Sequence, residues 1–264
     1  MSALPSSLKN PKDGYEMILV PGGEAIFGSR QEDGDADDDE KPQFPAHLPE
    51  YYLGKYPLRN REYAQFLEEV QPWQSDLEEW ILLDAYCHVV KVAEVPWLPR
   101  YRVRGEEDIP VVQVSWYGAQ AYCEWAGLRL PTELEWEKGA RGIDGRIYPW
   151  GNEWDPNKCR NASSNGKEGT CAVWQYREGC SPSGHYQMVG NVWEWCADWY
   201  DSDAYKRYAK GDLTPPGSGK NKVLRGASWY FVDRADFRCA KRFEGLRGLR
   251  TGILGFRCAR DATP

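Results

Sequence analysis

The chain has 264 residues, a net charge of −7 at neutral pH and an isoelectric point of about 5.2. Because phosphate binding needs a basic surface, this balance argues against a nucleic-acid partner, and no apolar run approaches membrane-spanning length. The 13 tryptophans and 16 tyrosines, together with 26 glycines and 18 prolines, predict a loop-rich domain whose core is built from large rings.

The first 15 residues predict a flexible lead-in, and residues 16–264 predict one domain, since no linker or fixed-period repeat divides the chain. No basic region followed by an apolar block stands at the N-terminus, so no secretory signal is visible. A cytoplasmic location and one associated with a phage or a cell surface both stay open.

Short strands and a loop are predicted up to residue 56. Residues 17–23 read MILVPGG, which predicts a strand ended by a glycine pair, and residues 24–29 are expected to be its hairpin partner. Residues 30–42 are strongly acidic and predict a solvated loop, because their spacing does not fit a helix–loop–helix calcium site. Residues 51–56 predict another strand.

Helices are predicted around a buried strand in the middle of the chain. Asn60 is the expected N-cap of a helix that continues to residue 70. Residues 71–109 predict an insertion made of a helix and a loop. A buried strand is expected over residues 111–116, followed by a helix that ends at Gly127. Thr132 and Glu135 have the spacing of a capping box that starts the next helix.

Long ordered loops are predicted over residues 144–192, where periodicity is weak. The 8 cysteines form no Cys-x-x-Cys pair and the 3 histidines are scattered, so a zinc site is not expected. The cysteines are expected to be buried reduced thiols, and one disulfide between Cys171 and Cys180 stays open. Residues 222–229 and 254–260 predict two short strands.

Several separated segments carry a resemblance when they are taken together: VPGGEAIFGS, NREYAQFL, PVVQVSWYGAQAYCEWAGLRLPTELEWEKGARG, YPWGNEW, MVGNVWEWCADWY, VLRGASW and GFRCAR. The chain resembles the formylglycine-generating enzyme (sulfatase-modifying factor) superfamily over residues 17–260. The resemblance implies an α+β fold, the loop-rich variant of the C-type lectin fold with little regular secondary structure. Some members are copper-dependent cysteine oxidases, others iron-dependent sulfoxide synthases, and others binding proteins that include the variable proteins of diversity-generating retroelements.

The oxidase of this superfamily needs two cysteines five residues apart, which hold Cu(I) as soft ligands. Counted forward from Ser228 these positions are Phe231 and Asp236, and counted back from Arg238 they are Trp229 and Arg234. Neither pair contains a thiol, so no copper and no thiol oxidation are expected. The scattered histidines offer no iron cluster. The carboxylates of Glu133, Glu135 and Glu137 are expected to cap a helix and to lie on its solvated surface.

The C-terminal region, residues 225–260, shows two sets of positions. We call the set that matches the superfamily the framework positions: Arg225, Gly226, Ser228, Trp229, Arg238, Ala240, Arg242, Arg250, Gly255, Phe256 and Arg257. The arginines among them are expected to be structural, since a planar side chain with five donors can tie loops together. The spacing of this set is similar to that of retroelement variable proteins.

We call the large and varied residues between them the display positions: Tyr230, Phe231, Val232, Asp233, Asp236, Lys241, Phe243, Glu244, Leu246, Arg247, Leu249 and Ile253. Exposed aromatic and arginine side chains are typical of binding hot spots. The hypothesis is that residues 230–232 and 243–253 form a ligand-binding face for a protein ligand. The alternative for each apolar member is that it completes the core.

Calcium is the cofactor that the resemblance implies, in a structural role. One site maps to the side chains of Gln187 and Glu194 and to the carbonyls of Gly190 and Val192. A second maps, less securely because the loop length differs, to Asn161, Ala162, Asn165 and Lys167. The alternative for Glu194 is an ion pair with a framework arginine.

Three functions stay open from the sequence. The first is a ligand-binding protein with a diversified C-terminal surface, most similar to a retroelement variable protein and without enzymatic activity. The second is an oxidase of the formylglycine type with displaced metal ligands, and the third is a noncatalytic regulatory module. The oligomeric state is not indicated by the sequence.

Overall fold

The computed structural model describes residues 4–95, 98–163 and 169–262. Its strands are β1 Ser7–Lys9, β2 Glu16–Val20, β3 Gly23–Phe27, β4 Phe44–Leu48, β5 Tyr51–Gly54, β6 Val89–Val95, β7 Leu98–Val103, β8 Trp193–Trp199, β9 Asn221–Arg225, β10 Arg242–Leu246, β11 Leu254–Gly255 and β12 Ala259–Asp261. Its helices are α1 Asn60–Val70, α2 Gln74–Trp80, α3 Trp116–Ala126, α4 Glu133–Arg141 and α5 Ala204–Tyr208, with 3-10 turns at Asp38–Glu40, Pro156–Lys158, Arg177–Gly179 and Arg234–Phe237.

Two four-stranded sheets organise the domain. The first has the strand order β1-β2-β5-β12, so the two ends of the chain meet in one sheet. The second has the order β10-β9-β8-β11, and it brings the C-terminal region beside the strand that begins at Trp193. The hairpins β3–β4 and β6–β7 form two smaller sheets. Helix α4 packs against β3, β8 and β9 and therefore lies behind the second sheet.

The core is built from large rings, as the composition predicts. The largest side chains with less than 2% of their surface exposed include three tryptophans, Trp136, Trp193 and Trp195, and several tyrosines. Ring contacts such as that between Phe66 and Trp80, with centroids 5.3 Å apart, link the helices to this core. Among the described residues no helix is long and apolar enough to cross a membrane.

The local signals for helix ends are confirmed. Gly127 adopts a left-handed conformation, with φ of 68°, and ends α3. Thr132 accepts a hydrogen bond from the Glu135 amide, and the Glu135 carboxylate accepts one from the Thr132 amide at 2.8 Å, which completes the predicted capping box. Helix α1 starts at Asn60 itself, so its N-cap is Arg59.

Four predictions for the first half of the chain need correction. Residues 24–29 are not the hairpin partner of residues 17–23, because β2 pairs with β1 and β5 whereas β3 pairs with β4. The lead-in is not wholly flexible, since Ser7–Lys9 forms β1. The insertion at residues 71–109 contains α2 as predicted, but the hairpin β6–β7 replaces most of the expected loop. The acidic loop is only partly solvated, because Glu40 is buried.

Residues 111–115 are buried, but they do not form a strand, and Trp116 is partly buried and begins α3. Their amide groups donate to three different neighbours: Val111 to the Leu58 carbonyl, Gln113 to Thr251 and Ser115 to Trp80. Gln113 has a positive φ of 61°, which breaks the regular pleat. The segment therefore connects three parts of the domain, including the insertion and the C-terminal region.

Candidate ligand-binding face

Buried ion pairs hold four of the framework arginines. Arg225 donates to Glu133 at 3.1 Å and to Glu137 at 2.7 Å, and it also donates to the carbonyls of Cys239 and Ala240. These contacts fix the start of the C-terminal region to α4. The remaining pairs join Arg242 to Glu133, Arg238 to Glu40 and Arg257 to Glu194. These four arginines are structural, as the sequence predicts.

The prediction of a solvated surface for the α4 carboxylates is wrong. The side chains of Glu133 and Glu137 are 1% and 0% exposed. Arg225 and Arg242 of the C-terminal region pair with them, and Arg141 of the same helix also pairs with Glu137. Burial alone would raise the pKa of Glu137, but the charges of Arg225 and Arg141 outweigh it and hold that pKa below its ordinary value. Glu135 does cap the helix, and it also pairs with Arg129 at 2.7 Å.

The display positions differ from the framework positions in burial. None of the twelve is buried: seven are exposed, and Phe231, Asp236, Lys241, Arg247 and Ile253 are partly exposed. All framework positions are buried except Trp229 and Arg250. The spacing of the two sets along the chain therefore corresponds to a division between interior and surface.

Trp193 brings the two halves of the candidate face together. Its buried ring contacts Phe231 edge to face at 5.7 Å and stacks on Phe243 at 5.3 Å. Tyr230 packs against Phe231 in turn, with centroids 6.2 Å apart. Residues 230–232 and the start of residues 243–253 thus share one support. Sequence reasoning left Trp193 out of the face, although its place in the GNVWEW motif pointed to a packing role.

The charged display residues near residue 240 are held by neighbours. The Asp233 carboxylate accepts from the Ala235 amide and caps the 3-10 turn that follows it. Lys241 forms an ion pair with Asp37 at 2.5 Å and lies 4.0 Å from Asp236. These contacts orient the side chains next to the aromatic part of the face.

Two further charged display residues lie along β10 and its turn. Glu244 accepts a hydrogen bond from the Asn221 side chain at 2.6 Å. The Arg247 guanidinium lies between the rings of Tyr117 and Trp199, 5.0 Å and 4.9 Å from their centroids. Cation–π contacts of this kind restrict the arginine, so the turn after β10 is held against α3.

The apolar members of the face are the most exposed. Tyr230 and Val232 each have 67% of their surface exposed, Leu246 has 55% and Phe243 has 48%. They are therefore not completing the core. Phe231 and Ile253 are the exceptions, because both are partly buried against the main core. The Ile253 carbonyl also accepts from the Trp193 amide at 2.8 Å.

The side chains at the positions of the copper ligands do not fit a copper ion. Phe231 and Asp236, or Trp229 and Arg234, offer no sulfur in either alignment. Cys239 lies nearby in the chain, but it is buried and burial raises its pKa to about 12. The eight cysteines are all free thiols, so the Cys171–Cys180 bond is not formed. No catalytic step through copper follows from this arrangement.

The first predicted calcium site lies in the loop before β8 and at its start, with Gln187, Gly190, Val192 and Glu194 close in sequence. Both Glu194 oxygens accept from Arg257, at 2.6 and 2.8 Å, and one also accepts from Trp136 at 2.8 Å. The Gln187 oxygen accepts from the Asn191 side chain at 2.6 Å. These acceptors are engaged by neighbouring side chains, and Arg257 balances the charge of Glu194, so the ion pair with a framework arginine that the sequence left open is formed. Calcium binding stays a prediction.

Half of the second predicted calcium site can be located. Asn161 accepts from the Ser163 amide at 2.9 Å, and the Ala162 amide donates to the Phe231 carbonyl at 2.9 Å. This loop therefore supports the display positions. The other two residues of the site, Asn165 and Lys167, lie outside the described residues.

Comparisons with known proteins assign the chain to one family, but the relatives in this family differ in activity. The profile of the sulfatase-modifying factor enzyme 1-like domain matches residues 3–262. The formylglycine-generating enzyme of Streptomyces coelicolor is 32% identical over 99% of this chain and 94% of its own length. The inactive C-alpha-formylglycine-generating enzyme 2 of Mus musculus is 31% identical over 93% of this chain and 86% of its own. Active and inactive relatives are thus equally similar.

Other relatives extend this range. The serine/threonine-protein kinase Pkn1 of Chlamydia trachomatis is 38% identical over 93% of this chain, which spans only 38% of that protein. Among solved structures, PvdO from Pseudomonas aeruginosa has a TM-score of 0.76 at 22% identity and covers 99% of this chain and 100% of its own. Treponema denticola variable protein 1 has a TM-score of 0.70 at 20% identity, and the match covers 97% of this chain and 98% of that protein. The fold is the expected loop-rich C-type lectin variant, and the chain belongs to the sulfatase-modifying factor enzyme 1-like family.

Proposed function

We propose that the chain is a ligand-binding protein and that its display positions form the binding face for a protein ligand. One observation carries the proposal. Of the eleven large apolar side chains that are exposed in the described part of the chain, five lie between residues 230 and 249. Exposed apolar side chains concentrated in one segment favour an interaction site, since large exposed apolar patches mark such sites in soluble domains.

The support beneath the face favours tight binding. Trp193 holds Phe231 and Phe243 from below, and Arg225 and Arg242 anchor both ends of the segment between them to α4. A face that is held in place before binding loses little conformational freedom when a ligand arrives. Aromatic residues such as Tyr230, with charged residues around them, make the arrangement typical of protein recognition.

The same division between buried framework and exposed display positions suits a surface that varies. Substitutions at exposed positions change stability little, so the fold tolerates diversity there. We propose that residues 225–260 are diversified in the manner of retroelement variable proteins. This proposal rests on the sequence pattern, on the burial of the two sets and on the resemblance to that class.

Sequencing of the DNA for residues 225–260 and its flanks in many related isolates tests the proposal. We expect changes at the display positions, an unchanged framework and a nearby template repeat whose differences are confined to adenines. An invariant segment without a repeat contradicts diversification and points to a fixed partner.

A formylglycine-type oxidase is the second candidate, and the identity to the Streptomyces enzyme favours it. It would need thiols at new positions. In the described part of the chain, Cys123 and Cys258 are the two cysteines whose sulfurs contact each other, 3.5 Å apart, and both are buried in the core. Burial raises the pKa of Cys258, which disfavours the thiolate that a metal needs.

Oxygen uptake with copper and a cysteine-containing peptide separates the two candidates. We expect no peptide-dependent uptake by this chain, whereas the Streptomyces enzyme, as positive control, consumes oxygen. Copper-dependent uptake that is lost in a Cys123→Ser variant would establish the oxidase instead.

A further inference from the structure

Arg250 is unlike the other framework arginines. Arg225, Arg238, Arg242 and Arg257 are buried and each pairs with a glutamate. Arg250 is partly exposed, and it has neither a hydrogen bond nor an ion pair with any residue in the described ranges. The sequence pattern grouped it with the structural arginines, but the structure gives it no structural partner. Its five donors are free for a ligand.

Arg250 lies at a cleft that the insertion forms with the C-terminal region. The cleft has a volume of about 350 Å³ and is lined by Gln74, Leu77, Glu78, Ile81, Leu82, Leu83 and Arg250. Leu77 and Ile81 are 2% exposed and form an aliphatic floor, whereas Leu82 is 43% exposed at the rim. Gln74 and Glu78 add polar atoms to the lining, where Gln74 donates to Glu78 at 2.7 Å. A cleft with an aliphatic floor and one free guanidinium is suited to a ligand that combines an aliphatic group with a negative charge.

The two walls of the cleft are fixed to each other through Gln113. Its carbonyl accepts from the Leu82 amide at 3.0 Å, and its own amide donates to the Thr251 carbonyl at 3.0 Å. The Gln113 side chain donates to Asp84 at 2.8 Å and so holds the chain just after Leu82. Because the same residue joins the insertion and the C-terminal loop, the cleft is preformed.

The insertion also contacts the loop that carries Arg250 and the display position Leu249. Leu249 precedes Arg250 and is 39% exposed, and Tyr86 of the insertion is 73% exposed. A Cβ placed on Gly252 would lie 3.8 Å from the Tyr86 Cβ, so the insertion reaches the loop that carries Leu249. Sequence reasoning missed Leu82 and Tyr86, because residues 71–109 show no periodicity that separates buried from exposed positions.

Resting on the proposed function, we propose that this cleft binds a segment of the protein ligand in which an Asp or Glu carboxylate lies beside an aliphatic side chain. The aliphatic group packs on Leu77 and Ile81, and Arg250 receives the carboxylate through charge-assisted hydrogen bonds. Glu78 does not take this role, since it accepts from Gln74 at 2.7 Å and makes no ion pair with Arg250. The insertion is then the second wall of the ligand-binding face.

Selection of a random-peptide phage library on the full chain tests the proposal. We expect the peptides enriched on the wild type to share an acidic residue next to an aliphatic one. Selection on Arg250→Gln removes this preference, and affinity for the wild-type peptides falls about tenfold or more, as expected for the loss of a hydrogen-bonded charge pair. Arg260→Gln is the matched control, because Arg260 is exposed on β12 and does not line the cleft.

Each result bears on a different claim. Enriched peptides without an acidic preference, or with one that Arg250→Gln leaves intact, overturn the cleft proposal. If such peptides bind the Phe243→Ala variant more weakly than the wild type, the proposal of a ligand-binding face holds and only the cleft proposal is lost. Acidic peptides that depend on Arg250 but not on Phe243 support the cleft and contradict the wider face. No enrichment on the wild type overturns both. Arg250→Gln is expected to keep the wild-type melting temperature, since Arg250 pairs with none of the residues that the structure describes.

Discussion

Arg242 and Glu133 form a bidentate ion pair in the interior, with Arg242 Nε 2.7 Å from one carboxylate oxygen and Nη2 3.0 Å from the other. The two side chains are 0% and 1% exposed. The guanidinium also lies over the ring of Tyr205, 4.5 Å from its centroid. This pair joins the first residue of β10 to the first turn of α4, so the base of the candidate ligand-binding face depends on it.

Breaking this pair is expected to destabilise the domain strongly. Glu133→Gln leaves Arg242 and Arg225 with less than their full counter-charge, and losing one partner of a buried ion pair costs about 3–5 kcal/mol. The measurement is the free energy of unfolding in urea. Lys206→Gln serves as the control, because the side chains of its ion pair with Asp203 are 55% and 70% exposed and surface pairs of this kind contribute little to stability. Equal losses in the two variants would contradict a buried anchor.

The apolar display positions are expected to contribute little to stability. The double variant Leu246→Ser and Leu249→Ser should change the free energy of unfolding by less than about 1 kcal/mol, since exposed substitutions have small effects. Phe237→Ala, in contrast, removes a fully buried ring that packs on Trp154 at 5.1 Å, and about 3–5 kcal/mol should be lost. Urea unfolding of the three proteins measures this. A large loss in the double variant would show that these leucines belong to the core.

Asp198 is expected to make stability depend on pH. Burial, with the nearby charge of Glu133, raises its pKa from 3.8 to about 7. The folded protein therefore holds the proton of the Asp198 carboxyl more tightly than the unfolded chain does. The protonated carboxyl makes its full contribution to the free energy of unfolding below pH 3.8, and this contribution is lost as the pH rises through 7. Between these two values the loss amounts to about 1.4 kcal/mol for each pH unit.

The Asp198→Asn variant isolates this effect. The free energy of unfolding of this variant, relative to that of the wild type, should increase between about pH 4 and pH 7, because only the wild type loses the contribution of Asp198. The lowered pKa of Glu137 affects both proteins equally, so its effect cancels in the comparison. Urea unfolding of the two proteins across this range is the measurement. Parallel curves would mean that Asp198 does not titrate in the native state near neutral pH.

The thiols are expected to be mostly unreactive in the native protein. Six of the eight cysteines are buried, and Cys171 and Cys180 are partly exposed. Burial raises the pKa of Cys171 to about 12 and also raises that of Cys180, so few thiolates are present at neutral pH. Titration with a thiol reagent should therefore modify at most two cysteines in the native state and all eight in denaturant. A total of six in denaturant would indicate a disulfide.

The sequence alone correctly predicted features that depend on neighbouring residues, and it predicted the family and fold from a specific set of motifs. The capping box of Thr132 and Glu135 and the left-handed Gly127 depend on hydrogen bonds within one helical turn, so a few neighbouring residues determine them. The motif set predicted the family and fold. The alternation of framework and display positions anticipated which C-terminal residues lie at the surface.

Only the tertiary structure decided which distant residues meet. The sequence predicted that the carboxylates of α4 face solvent. Their partners could not be seen locally, because Arg225 and Arg242 lie 92 and 109 residues from Glu133 in the chain. Arg250 looks in sequence like its framework neighbours, yet among the described residues it has no glutamate as a partner, because the insertion places an apolar cleft beside it. Sequence therefore determined local conformation and family, whereas long-range packing determined the partner of each charge and the extent of the candidate face.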